Sequence, residues 1–186
     1  MIEQLLRHID TLRKSRVIAA IDGNSAAGKS TLAARLKGVR DANVIHMDDF
    51  FLRPEQRSPE RLAESGGNID YERFAAEVIT PLKAGKPFAY RPYDCQRGEL
   101  SEPVTVTPKP LTIVEGVYSL HPRFFEAYDV TVFLSLDETE QRARLAERSP
   151  RLLDRFINEW IPMERAYFDA FKIAEKCDFV FDGQNS

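Results

Sequence analysis

Five short apolar runs punctuate the chain: Val17–Asp22, Asn43–Asp48, Leu111–Gly116, Val130–Leu136 and Phe179–Phe181. Each carries a carboxylate at or just beyond its C-terminal end, namely Asp22, Asp48, Glu115, Asp137 and Asp182. Nearly continuous apolar runs of this length belong to strands covered on both faces, as in a parallel sheet. Between them the period changes. Within Met1–Arg16, Ile2, Leu5, Leu6, Ile9 and Leu12 share one helical face, with Arg7, Asp10, Arg13 and Lys14 elsewhere. Leu32 to Leu36 repeats at helical spacing, as do Phe74, Val78, Ile79 and Leu82, with Asp70 as N-cap. A short helix is expected from about His121 to Ala127, and a charged one from Asp137 to about Arg148. Pro150 interrupts the latter, and a longer helix follows over 152–174, which Pro162 is expected to bend or divide. Strand alternating with helix predicts an α/β fold, a five-stranded parallel sheet with helices on both faces.

Two stretches break this rhythm. Leu52–Asn68 is rich in Arg, Pro, Glu and Gly and reads as a mobile loop with a helical turn near Pro59–Glu64. Gly85–Pro110 turns to Pro, Tyr, Arg and Thr and is expected to form two short strands, a small β-hairpin insertion rather than a second domain. The organisation is then one domain, 1–186, with a substrate-side insertion at 85–110 and a lid at 148–155.

The first run leads into Gly23-Asn24-Ser25-Ala26-Ala27-Gly28-Lys29-Ser30-Thr31, which fits the pattern Gly, four residues, Gly-Lys-Ser/Thr. Glycines let the backbone take positive φ and approach a ligand closely, so that N–H groups point at phosphate oxygens. The helix starting near Gly28 adds its positive dipole end. All nine residues are candidates to hold a nucleoside triphosphate, with Lys29 reaching the β and γ phosphates and Ser30 Oγ ligating the bridging Mg2+.

The strand ends supply a second half. Ligands of open α/β sheets lie outside the carboxyl ends of the strands. Asp48 is therefore the candidate acceptor of a substrate hydroxyl proton, and Glu115 a candidate ligand of Mg2+ or of a substrate hydroxyl. Asp49 reads as a solvated acid, Asp22 as ordering the loop, and His46 as a satisfied core histidine. Arg142, Arg144, Arg148, Arg151 and Arg155 flank the helix break, where a lid can bring guanidinium groups onto a transferring phosphoryl. Of these, Arg148 is the catalytic candidate and Arg151 a substrate-binding one. Tyr93, with Arg91 and Asp94, lies in the insertion, where aromatic and polar groups can clasp a small substrate.

Composition narrows the field. The chain has 186 residues and a net charge of -3, which offers no general attraction for nucleic acid. Cys95 and Cys177 lack metal-type spacing and read as free thiols of a reducing compartment. No run reaches the length of a signal-peptide core or a membrane span, so a cytoplasmic protein without membrane partners is expected. A homo-oligomer stays open.

These residues resemble the uridine kinase and phosphoribulokinase group of P-loop small-molecule kinases over most of the chain. The resemblance rests on the glycine loop and on His46-Met47-Asp48-Asp49-Phe50-Phe51, where the group has an Asp-Asp/Ser-Phe-Tyr/Phe element. It extends to Asp70, where the group places a substrate-binding Asp, to Pro92-Tyr93-Asp94, to Ile113-Val114-Glu115-Gly116, and to the region around Pro162. It implies a P-loop NTPase fold with sheet order 2-3-1-4-5, and ATP and Mg2+ as cofactors. Residue by residue it implies Asp48 as catalytic base, Ser30, Glu115 and Asp48 at the metal, Asp70 on sugar hydroxyls, and Tyr93 and Phe51 beside the substrate. The activity implied is ATP-dependent phosphorylation of a hydroxyl on a nucleoside-like small molecule, uridine first. Where uridine kinases carry a pyrimidine-reading histidine, this chain has Cys95-Gln96-Arg97-Gly98, and its lid is shorter. The Asp48 element and Phe181-Asp182-Gly183 also look like nicotinamide riboside kinases. Nicotinamide riboside, pantothenate and glycerate therefore stay open as acceptors. The rivals are a regulatory nucleotide-binding switch, against which no Asn-Lys-x-Asp guanine-reading sequence occurs, and a degenerate kinase fold that only binds partners.

Overall fold

A computed structural model describes residues 1–183 of the chain. In chain order these form α1 (Ile2–Thr11), β1 (Val17–Gly23), α2 (Lys29–Val39), β2 (Ala42–His46), α3 (Pro59–Ala63) and α4 (residues 71–84). The insertion carries β3 (Phe88–Tyr90), β4 (Tyr93–Asp94), β5 (Glu99–Leu100) and β6 (Val104–Val106). Then come β7 (Leu111–Glu115), β8 (Val130–Ser135), α5 (Glu138–Arg148), α6 (residues 153–171), α7 (Ile173–Lys176) and β9 (Phe179–Asp182). The five apolar runs make one parallel sheet in the order β2-β7-β1-β8-β9. Counting only these five, that is the expected 2-3-1-4-5.

Alternation along β1 explains the layering. Ala19 and Ile21 face one side and pack with Leu5 of α1 and Leu32 and Leu36 of α2. Ala20 faces the other, with Phe50, Phe74 and Val78 and with Tyr167 of α6. A strand in the middle of the sheet is covered on both faces, which is why its sequence is apolar throughout. Small side chains at 19 and 20 let both helical layers come close.

Several expectations are corrected. The insertion has two antiparallel ladders, β3 with β6 and β4 with β5, rather than one pair of strands. Pro92 and Pro103 stand between the two ladders, and a proline has no N–H to donate. Arg91 spans the gap through bonds to the carbonyls of Leu100 and Ser101 at 2.8 and 2.7 Å. The segment 121–127 forms only a 3-10 turn at Phe125–Ala127, because its backbone bonds close over three residues.

The stretch 52–68 does contain the helical turn α3, but guanidinium groups pin it rather than leaving it a plain loop. Arg57 holds Leu52 O, and Arg61 holds Gly67 O, Ile69 O and both oxygens of Glu72. Pro162 does not divide the long helix. Instead α6 widens to a π segment at Phe156–Trp160 just before the proline, as α4 does at Ala75–Ile79 before Pro81. Widening moves the missing proline N–H out of register with the regular ladder. Strand β2 stops at His46, so Asp48 and Asp49 stand on a 3-10 turn, Met47–Phe50.

Gly23 joins β1 to the loop with φ of 134°, and a Cβ placed there would lie 2.1 Å from Leu134 O of β8. We expect Gly23→Ala to cost about 3 kcal/mol. In a domain of this size that lowers the thermal midpoint by roughly 5 to 10 °C, measurable by circular dichroism.

Candidate active site

The loop after β1 is shaped by its own backbone. Gly28 caps α2 in the left-handed region, φ 94°. Asn24 ties the loop to the end of β8, donating its N–H to Leu134 O at 3.1 Å and accepting from Leu136 N at 3.0 Å. The Lys29 ammonium folds back to donate to the carbonyls of Gly23 and Asn24 at 2.9 and 2.8 Å. Below it Asp22 is fully buried and accepts from Gly23 N at 2.7 Å, Leu120 N at 3.0 Å and Tyr167 OH at 2.9 Å. Burial pushes this carboxyl up to about 6, against those bonds and the nearby Lys29 charge.

A cluster of acids faces the loop. Ser30 Oγ donates to Glu115 Oε1 at 3.0 Å, and the same oxygen lies 2.5 Å from His46 Nδ1. His46 is therefore not the core residue expected. Its exposed ring sits at the sheet edge on Glu115, and that hydrogen bond, opposed by burial, raises its pKa. Asp48 opens onto the space between loop and acids. Being crowded by protein raises its pKa, Lys29 opposes this, and Glu115 and Asp49 add to it. Asp49, expected to be solvated, accepts instead from Tyr90 OH at 3.1 Å.

These groups border a cavity of about 1120 Å³. Its phosphate wall is Ser25, Ala26, Gly28, Lys29, Ser30 and Thr31; Gly23, Asn24 and Ala27 support that wall from behind. Asp48, Phe51 and Glu115 form the facing wall, and the insertion contributes Cys95 and Gln96. The end of α5 and the start of α6 bring Arg144 and Arg148 with Leu152, Arg155, Phe156 and Trp160. Arg144 is tied to the carbonyls of Ala26 and Gly183, whereas the Arg148 guanidinium lies 5.8 Å over the Phe156 ring.

Besides Gly23, Asn24 and Ala27, three more expected residues are not on the cavity wall. Asp70 is buried, caps Arg73 N at 3.1 Å and accepts from Gln56 Nε2 at 2.9 Å. Tyr93 is buried in the first ladder pair of the insertion tip, and Arg151 is exposed on the 3-10 turn Pro150–Leu152. Sequence reasoning missed Asn68, Tyr118, Trp160 and Glu164, which do line it. Asn68 Oδ1 is buried there without a hydrogen-bond partner among the described residues. Glu164, two residues after Pro162, accepts from Ser25 N at 3.1 Å and from the Ser25 hydroxyl. Its position on a helix that reads as ordinary and amphipathic gave no signal.

The donors present suit Mg2+. Ser30 Oγ, Glu115 and Asp48 are hard oxygen ligands on one cavity. Among the described residues no three His, Cys, Asp or Glu converge into a cage. This matches an ion that binds through one or two carboxylates plus substrate phosphates. Both cysteines are free, and among the described residues no helix is long and apolar enough to cross a membrane.

No known family profile matches the chain. Its fold is shared with solved P-loop structures. A possible uridine kinase from Bacillus stearothermophilus superposes with a TM-score of 0.71 at 23% identity, covering 96% of this chain and 100% of that one. A candidate fructose transport system kinase from a Silicibacter species gives 0.67 at 24%, covering 97% and 96%. D-glycerate 3-kinase from Cryptococcus neoformans gives 0.63 at 15%, covering 99% and 93%.

Asp22 yields a pH prediction. Its carboxyl is raised from 3.8 to about 6 in the folded chain, so the native state binds more protons across that interval. The stability it contributes is complete below the lower value and lost as pH rises through the upper one, about 3 kcal/mol in all. We expect the unfolding free energy of Asp22→Asn, relative to the parent, to improve by about that amount between pH 4 and pH 7. Urea unfolding at both pH values measures it, and a constant difference would contradict the assignment.

Proposed function

We propose that the chain is an ATP- and Mg2+-dependent kinase that phosphorylates a hydroxyl of a small metabolite, with a nucleoside such as uridine as the first acceptor to test. The observation that carries this is a single cavity bounded by the phosphate loop, by Asp48 and Glu115, and by an arginine-bearing lid. A switch protein has no need for a further carboxylate placed to take a proton from an acceptor hydroxyl, whereas phosphoryl transfer to an alcohol needs a cradle, a metal, a proton acceptor and cations.

The loop amides and Lys29 hold the triphosphate, and Ser30, Glu115 and Asp48 would hold Mg2+, which supplies charge neutralisation across the phosphates when bound. Asp48 takes the proton of the acceptor hydroxyl. That oxygen forms the new O–P bond, the bond from the γ phosphorus to the β-bridging oxygen breaks, and ADP leaves. Lys29 and Arg148 offset the charge that accumulates. His46 holds Glu115 in orientation from the sheet edge. Phe51, Asn68 and Gln96 border the acceptor side, while Asp70 and Tyr93 shape it from behind.

The acceptors named for the similar folds differ, covering a uridine kinase, a fructose transport system and D-glycerate. An ATP-consumption screen over uridine, nicotinamide riboside, pantothenate and glycerate, with product mass confirmed, assigns the acceptor here. In the same assay Lys29→Ala is expected to abolish ATP-dependent turnover. Asp48→Asn should keep ATP binding and lose about 10²- to 10⁴-fold in kcat; near-parental kcat in that variant would remove Asp48 as the base.

A further inference from the structure

Glu164 is 3% exposed, and its hydrogen-bond partners are all neutral: Ser25 N, the Ser25 hydroxyl, and Gln141 Nε2 at 3.3 Å. The other half of that amide, Gln141 Oε1, has no partner among the described residues. Ser25 belongs to the phosphate loop, Gln141 to α5 and Glu164 to α6. The lid hangs between those two helices, with Arg148 at the end of α5 and Arg155 at the start of α6. Loop and both lid limbs therefore meet at one buried carboxylate.

We propose that Glu164 is a positioning residue that transmits occupancy of the phosphate loop to the arginine-bearing lid, through repulsion between its carboxylate and nucleotide phosphates. The proposal rests on the kinase assignment above. Phosphate oxygens compete for the Ser25 N–H, and they bring negative charge against a carboxylate shielded from water. Like charges repel far more strongly there than in bulk solvent. The carboxylate withdraws from Ser25. Because it stands on α6 and holds Gln141 of α5, its withdrawal moves both limbs and turns Arg148 and Arg155 toward the phosphates. Part of the binding free energy is used in that shift, so ATP binds more weakly than it would beside a neutral residue.

The test is Glu164→Gln, which keeps an acceptor for Ser25 N–H and removes the charge. ATP affinity is measured by calorimetry, and hydrogen exchange of residues 148–160 is followed with and without ATP. The variant is expected to bind ATP about tenfold more tightly and to lose the ATP-induced protection of the lid that the parent shows. A purely structural role would change neither reading, only the thermal midpoint. A folded variant with unchanged or weaker ATP affinity and parental lid protection overturns the proposal. Should Glu164→Gln fail to fold, Gln141→Leu supplies the second arm. ATP should then still protect residues 155–160 but no longer the C-terminal half of α5, and undiminished protection of α5 overturns the proposal. A parent chain that binds no ATP at all would remove the kinase assignment and this inference together. ATP binding without a lid response removes this inference alone.

Discussion

The arrangement depends on one buried carboxylate at the end of the central strand. Asp22 ties together three parts of the chain far apart in sequence: the first amide of the phosphate loop, the turn after β7 through Leu120, and α6 through Tyr167. A buried charge is tolerated only where hydrogen bonds replace its water. Here the replacement donors are the elements that must be held in register for the cavity to exist. The cost appears as the raised pKa, and the gain as a loop whose entry angle is set from below.

Most of the framework was legible in the sequence, because its cause is local and periodic. The strands β1, β7 and β8 are buried on both faces, so their runs are nearly continuous, and a carboxylate follows each of the five runs, of which Asp48 and Glu115 line the cavity. The glycine loop was legible for a similar reason, since its backbone shape demands specific residues at fixed offsets. The order of the strands was not, and came from a resemblance, as periodicity carries no information on lateral neighbours.

What was illegible is contact between distant residues. His46 has the pattern of a core strand residue, yet β2 is an edge strand and its last side chain meets Glu115 of β7. Asp70 sits at a helix start, and that capping duty together with Gln56 turns its carboxylate away from the cavity. Pro162 misled in a different way. A proline inside a helix predicts a bend or a break, but a π segment precedes Pro162 and the helix stays continuous, as it does at Pro81. In α6 this continuity has a consequence, for it places residues 153–155 and Glu164 on one unbroken helix.

Three polar side chains of the loop are engaged by the protein itself: Lys29 by two carbonyls, Ser30 by Glu115, and Ser25 by Glu164. A triphosphate bound as proposed would exchange partners at these three groups. Each exchange frees a protein group of opposite use. In the proposed kinase, releasing Lys29 would free a cation for phosphate, and releasing Ser30 would free Glu115 for a metal ion. Glu164 differs under the proposed coupling, because phosphate arriving at Ser25 would set like charge against its carboxylate and would compete with it for the cations of the same cavity, Lys29, Arg144, Arg148 and Arg155. Under that coupling the carboxylate lowers its energy by moving, and α6 carries the movement to residues 153–160.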